Sequence, residues 1–164
     1  MSDKTNSRVN SKISSELYQT PGHLVRRLHQ INLGIFHEML KDYKVTPVQF
    51  GLLLRLTEVD RIDHRTLSTQ VGVHAATISD VIFRLEKRGL ITRTSSTKDR
   101  RVKLLSITAA GKEFVKMTKP HVNEMQDVLL GPLDKEERKE FIRLTTKVIE
   151  KNNNFSRVPI EKRI

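Results

Sequence analysis

The chain has no cysteine and no tryptophan, and only two tyrosines and six phenylalanines in 164 residues. The missing thiols exclude disulfides, thiolate zinc sites, cysteine nucleophiles and thiol-based redox sensing together. No stretch approaches the roughly 18 consecutive apolar residues of a membrane span. The opening MSDKTNSRVNSK lacks the apolar centre of a secretory signal, which makes a cytoplasmic location the expectation. Catalytic patterns are missing as well: no glycine-rich phosphate loop, no paired nucleophile and base, and six histidines dispersed without metal-ligand spacing. The expectation is therefore neither an enzyme nor a holder of a cofactor or metal. Acidic residues are also scarce, 19 Asp plus Glu against 30 Lys plus Arg, and the resulting charge of +11 points to a polyanionic partner.

That charge is concentrated. The segment 84–103 holds eight basic residues against Glu86 and Asp99. Immediately before and within it lies HAATISDVIFRLEKRGL, residues 74–90, the stretch around which the chain is organised. Ile78, Val81, Ile82 and Leu85 recur at i, i+3, i+4 and i+7 and mark the inner side of a helix. Its other side carries Ala76, Ser79, Asp80, Phe83 and Lys87, a mixture of small, polar, basic and aromatic residues suited to touching DNA.

Segments before it read as helices. Residues 1–15 are polar and aperiodic, an arm expected to be disordered. Thr20 and Pro21 start a helix expected to reach about Tyr43, with Leu24, Leu28, Ile31, Ile35 and Met39 as its stripe and Phe36, Leu40 and Tyr43 widening it. Thr46, Pro47 and Gln49 give a capping box for a second helix that carries Phe50, Leu53, Leu54 and Leu56. Asp63 caps a short third helix to Val71, with Ile62 and Leu67 as a hydrophobic staple, and Gly72 ends it. Two short helices joined by so brief a glycine turn make either a helix-turn-helix or an ordinary helical hairpin.

The sequel separates these readings. After Gly89 the chain becomes extended over 91–95 and 102–107, with a polar, basic tip between. A helix-turn-helix followed by a basic two-stranded ribbon is a winged helix, the recognition helix entering the major groove while the ribbon reaches an adjacent minor groove or backbone. Thr108 then caps a helix that Pro120 is expected to bend. Asp134 and Glu137 cap a last helix with Phe141, Leu144, Val148 and Ile149 on its apolar side, and a basic arm, 152–164, follows. The fold class is mainly α with a small β-wing: a winged lobe over about 46–108, flanked by helices over about 21–43 and 109–151.

The runs LSTQVGV, ATISDVIFRLEKRGLITR and DRRVKLLSITAAG resemble the multiple-antibiotic-resistance regulator (MarR) family of winged-helix transcription factors. The resemblance spans about 21–149 and is strongest over 67–111. It implies that Thr77 and Ser79 meet bases or phosphates, that Arg100 occupies the minor-groove tip, and that Asp99 and Arg101 brace the wing. Arg84, Lys87 and Lys98 complete the expected double-stranded DNA contacts. Asp80 and Phe83 depart from the family pattern. Asp80 either selects a cytosine amino group or pairs with Arg84, and Phe83 either packs on a thymine methyl or is an exposed or wing-packed aromatic.

The family is dimeric, and the wide apolar faces of the terminal helices are more than one winged lobe needs, so a homodimer on a pseudo-palindromic site is expected. Small aromatic acids release many members from DNA. The opening TPGHLVRRLHQI resembles the subset tied to aromatic-carboxylate breakdown. This makes His23, Arg26, Arg27 and His29 candidate carboxylate partners, against their reading as a solvated or phosphate-binding face. Phe50, Leu53 and Leu54 are candidates for an apolar wall or for plain core. The leading expectation is a ligand-released repressor; a weakly specific architectural DNA binder is the alternative.

Overall fold

The computed structural model describes residues 16–97 and 99–160. The expected N-terminal arm, Lys98 at the wing tip and the last four residues of the basic tail lie outside the described residues. The chain is mainly helical with one small antiparallel sheet, and among the described residues no helix is long and apolar enough to cross a membrane.

α1 (Pro21–Leu40) follows a short 3-10 turn at Glu16–Gln19. Its start is where Thr20 and Pro21 place it, but Thr20 gives its hydroxyl proton to the Leu17 carbonyl at 2.7 Å instead of capping the helix. The expected run to Tyr43 tightens into 3-10 geometry after Leu40, and Lys44 turns left-handed at φ 49°. In α2 (Pro47–Glu58) the capping box is complete: the Gln49 amide donates to the Thr46 hydroxyl at 3.2 Å and the Thr46 amide to Gln49 Oε1 at 3.1 Å. α2 contributes Phe50, Leu52, Leu53 and Leu56 to the core.

β1 (Ile62–Asp63) is a strand the sequence pattern does not announce, because two residues carry no period. Ile62 and Leu67 are both buried, as a staple requires, and Ile62 also pairs with Leu105. The expected two-stranded ribbon is therefore a three-stranded sheet in the order β1-β3-β2, with β2 (Ile91–Ser95) and β3 (Lys103–Ile107) in register from Ile91 opposite Ile107 to Ser95 opposite Lys103.

Asp63 accepts from the Thr66 amide at 3.0 Å and from its hydroxyl at 2.6 Å, capping α3 (His64–Val71). Partial burial works against its charged form, yet the bonds from Thr66 and from the Arg65 amide outweigh this and hold the carboxyl below its ordinary range. A folded pKa below the unfolded one contributes stability that is present above the unfolded value, near 4, and lost as pH falls through the folded value. Asp63→Ala is expected to lower unfolding free energy by about 1–2 kcal/mol at neutral pH. The deficit should shrink below about pH 4, read from urea unfolding at both ends of that window.

α4 (Ala75–Lys87) is bounded by two glycine turns of one design. Gly72 and Gly89 sit at φ 66° and 69°. Each is flanked by the paired bonds of a Schellman motif, Val73 to Ser68 with Gly72 to Thr69, and Leu90 to Leu85 with Gly89 to Glu86. The first turn is tightened by the Ser68 hydroxyl donating to the Val73 carbonyl. α5 (Ala109–Leu129) runs unbroken through Pro120, and α6 (Lys135–Lys151) opens with a second complete capping box, Asp134 with Glu137. The segment after α6, expected as a loose arm, instead makes a 3-10 turn, and Asn153 closes it with reciprocal bonds to the Ile160 backbone at 2.8 and 2.9 Å.

One core unites α2, α3, α4, the sheet, the last turns of α1 and the inner side of α5. α6 buries no residue.

Candidate nucleic-acid interface

The two faces of α4 separate as the periodicity predicts. Ile78, Ile82 and Leu85 are at most 1 % exposed, and Val81 is half-buried against the same core. Ala76, Thr77, Ser79, Asp80, Phe83, Arg84 and Lys87 are all exposed. Phe83 is 57 % exposed, so it is not packed against the wing. Of the two readings open for Asp80, its pairing with Arg84 is realised at 2.8 Å, one helical turn apart. Both side chains are well solvated, so the pair contributes only a few tenths of a kcal/mol.

Local bonding shapes the wing. Thr108 donates its hydroxyl proton to the Gly89 carbonyl at 2.7 Å and its amide to the Leu90 carbonyl at 3.1 Å, so the ribbon returns to the end of α4. Arg93 of β2 is paired with Glu86 of α4. At the tip, the Arg101 amide donates to Asp99 Oδ1 at 2.9 Å and the Val102 amide to the Asp99 carbonyl at 3.0 Å. Asp99 thus folds the turn over Arg100, whose side chain is exposed at its crest.

Two basic clefts flank α4. On the wing side a cleft of about 440 Å³ is lined by Arg65, Arg93, Arg101 and Lys103, with Asp63 as its carboxylate and with His64 and Ser79. On the other side a depression of about 530 Å³ holds Lys44, Arg84, Lys87 and Arg88 beside Thr46 and Gln49. Cations on both sides of a projecting helix match a groove bordered by phosphate ridges. Lys44, His64 and Arg65 join this surface without a local sequence signal; only the packing of α3 and of the α1–α2 turn against α4 brings them there.

Arg88, though exposed, is tied back onto the chain. It donates to the Lys44 and Tyr43 carbonyls at 2.9 and 3.1 Å and lies 5.0 Å over the Phe114 ring. The Tyr43 hydroxyl is 2.9 Å from His121 Nε2. The end of α4 is thereby tied through one tyrosine to both the α1–α2 turn and α5.

The residues expected at a ligand site do not form one group within the chain. Phe50 is buried in the core with Phe36 and Leu40, and Leu54 is half-buried beside it. His23, Arg26, Arg27 and His29 lie in the first turns of α1, and the rise of an α-helix puts His23 about 20 Å from Phe36. Arg26, Arg27 and His29 are exposed, Arg27 reaching Gln30 at 3.3 Å. His23 is half-buried, 5.0 Å from the Tyr18 ring, and its Nε2 is buried with no hydrogen-bond partner among the described residues.

Comparison with known proteins matches this geometry. The MarR family profile covers residues 45–103, the span from the α1–α2 turn to the start of β3. The chain is 27% identical over 133 residues to the HTH-type transcriptional repressor NicR of Pseudomonas putida, covering 81% of this chain and 84% of that protein. It superposes on Bordetella bronchiseptica BpsR, whose DNA binding is regulated by 6-hydroxynicotinic acid, with TM-score 0.78, 28% identity, and 82% and 96% of the two chains covered. Streptomyces coelicolor PcaV, solved with its natural ligand, gives TM-score 0.78 and 31% identity over 84% of this chain and 96% of that one. With a winged lobe, flanking helices and this level of identity along nearly the whole length of solved relatives, the chain belongs to the MarR family of transcriptional regulators.

Proposed function

We propose that the chain is a homodimeric repressor that grips a pseudo-palindromic operator and is released from it by a small aromatic carboxylate. The observation that carries the DNA part is the exposed outer face of α4 between two basic clefts. Two copies of α4 would enter successive major grooves about 34 Å apart. Ala76, Thr77, Ser79, Asp80 and Phe83 read base edges, while Arg84 and Lys87 meet phosphates. Asp99 and Arg101 shape the turn that carries Arg100 into the minor groove, whose negative potential favours arginine. Lys98 stands beside them in sequence as a further phosphate contact.

Arg100→Ala tests the wing. Expected is about a tenfold loss of operator affinity, largest for A·T-rich flanks, with the salt slope reduced by about one and the oligomeric state unchanged. Equal affinity in fluorescence anisotropy would remove the wing from the interface. Operator affinity should also exceed that for random DNA about a thousandfold at physiological salt; a ratio near one would make the chain an architectural binder instead.

The release half is supported by His23 Nε2, buried with no hydrogen-bond partner among the described residues, on the same first turns of α1 as Arg26, Arg27 and His29, whose guanidinium and imidazole groups are of the kind a carboxylate bonds. The half-buried Leu54, backed by the buried Phe50, would supply apolar surface, with a second copy's α1 bringing the cationic side to it. The Tyr43 bonds to Arg88 and His121 then offer a path from these helices to α4. A ligand can shift DNA affinity only by its differential binding to the two states, typically 1–3 kcal/mol.

A further inference from the structure

We infer that Arg88 is a specificity-determining positioning residue: by pinning the C-terminal end of α4 to the α1–α2 turn and to α5, it sets the half-site spacing that the chain accepts. It does so without serving as a phosphate contact. The inference rests on the reading of the chain as a homodimer that meets two half-sites through two copies of α4.

By charge alone Arg88 belongs with the cations of 84–103, and it shares a depression with Lys44, Arg84 and Lys87. Its bonds give it another task. The last carbonyls of a helix have no intrahelical donor and stand at the negative end of the helix dipole, where a cation is favoured. At the end of the 3-10 turn Lys41–Tyr43 that follows α1, one guanidinium nitrogen of Arg88 donates to the Lys44 carbonyl at 2.9 Å and the other to the Tyr43 carbonyl at 3.1 Å. The same guanidinium lies 5.0 Å over the ring of Phe114, a buried residue of α5, which Tyr43 meets edge-on with ring centroids 6.2 Å apart. The Tyr43 hydroxyl, 2.9 Å from His121 Nε2, adds a hold about two turns further along α5.

The end of α4, the end of α1 and α5 thus meet at one side chain. α1 and α5 also carry Leu24, Val25, Ile31, Met117 and Val128, exposed apolar residues that would face a second copy. A tie from α4 to both helices would therefore fix α4 relative to the two-fold axis. Adding one base pair between half-sites shifts one of them by about 3.4 Å along the duplex and turns it by about 35°. A firmly tied α4 would not follow; a loosened one would follow in part.

Lysine separates this role from a phosphate contact. It keeps the charge, and it serves a phosphate as a point charge, but it has no planar fork to span two carbonyls while lying flat on a ring. The experiment takes the preferred operator from a library selection and varies it by one or two base pairs added or removed between the half-sites. Affinities for these and for random DNA are read by fluorescence anisotropy at several salt concentrations. The chains compared are wild type, Arg88→Lys, Arg88→Met and Lys87→Met, each checked for folding by circular dichroism and for mass by light scattering.

Wild-type affinity should fall about tenfold or more when the spacing is changed. Arg88→Lys and Arg88→Met should both shrink that penalty by about 3- to 10-fold, with the salt slope and the affinity for random DNA unchanged. Lys87→Met should do the reverse, lowering the salt slope by about one and keeping the spacing preference. A wild-type spacing preference retained in both Arg88 variants would overturn the inference and leave α4 and the paired half-sites standing. So would a salt slope lowered by about one in Arg88→Met and restored in Arg88→Lys, because Arg88 would then be a phosphate contact. A wild-type chain indifferent to spacing would remove the paired half-sites and this inference together.

Discussion

Gly111→Ala is expected to cost the fold about 3 kcal/mol or more and to abolish operator binding at temperatures where the wild-type chain binds. A Cβ at this position would lie 2.1 Å from the Leu90 carbonyl oxygen and 2.7 Å from Ile107 Cγ1, closer than real Cβ contacts come. The obstacle is backbone and cannot rotate away. The Leu90 carbonyl is itself held by the Thr108 amide at 3.1 Å, and the Thr108 hydroxyl both donates to the Gly89 carbonyl and accepts from the Gly111 amide at 3.0 Å. The first turn of α5 is thus seated on the glycine turn that closes α4. Separating them would free α4 from the helices that would set its spacing to a second copy. Gly51→Ala is the contrast: this glycine lies inside α2 with nothing within 4 Å of a new Cβ. Alanine there is expected to be neutral or to stabilise by up to about 1 kcal/mol through helix propensity. Chemical unfolding of the two variants reads the difference, and a Gly111→Ala chain within about 0.5 kcal/mol of wild type would mean that the α4–α5 seat yields.

The difference between these two glycines also marks the limit of what the sequence carries. Capping signals are local, so Thr46 with Gln49, Asp63, Thr108, and Asp134 with Glu137 place four helix starts correctly. Thr20 has the same residue type before a proline, yet its hydroxyl is taken by the Leu17 carbonyl of a preceding turn that the local pattern does not specify. The division of α4 into buried and exposed faces follows from a period of 3.6, and the structure keeps it residue for residue. β1 is invisible because a two-residue strand exists only through its partner Leu105, distant in the chain. The basic clefts combine a legible part and an illegible one. The charge run of 84–103 is plain in the sequence, whereas Lys44 and Arg65 reach the clefts through tertiary packing alone. The same holds for Arg88, counted by its charge with the basic segment but spent on the Tyr43 and Lys44 carbonyls.

Placing glutamate at both Leu144 and Val148 is expected to leave the chain monomeric at micromolar concentration and to weaken operator binding by about 10²- to 10⁴-fold. α6 has a complete capping box and ends in an Asn152 turn, yet none of its residues is buried within the chain. Ile142, Leu144, Val148 and Ile149 are 46–61 % exposed. An isolated helix of 17 residues is only marginally stable in water, so its persistence calls for apolar cover from outside the chain. Leu24, Val25 and Ile31 of α1 and Met117 and Val128 of α5 extend the uncovered surface along the other terminal helices. A second copy would supply self-complementary cover by two-fold symmetry and would place two copies of α4 at once. Once one half-site was bound, a linked second copy would meet its own half-site at an effective concentration in the millimolar range, and this advantage would disappear when the copies part. Light scattering should give the mass of two chains for the wild type and of one for the double variant. Phe83→Ala, on the opposite side of the molecule's function, should remain dimeric while altering operator preference. A wild-type monomer that holds its operator with full affinity, or a double variant that stays dimeric, would break the link drawn here between the terminal helices and DNA binding, because the apolar faces would then have another occupant and α4 would bind singly.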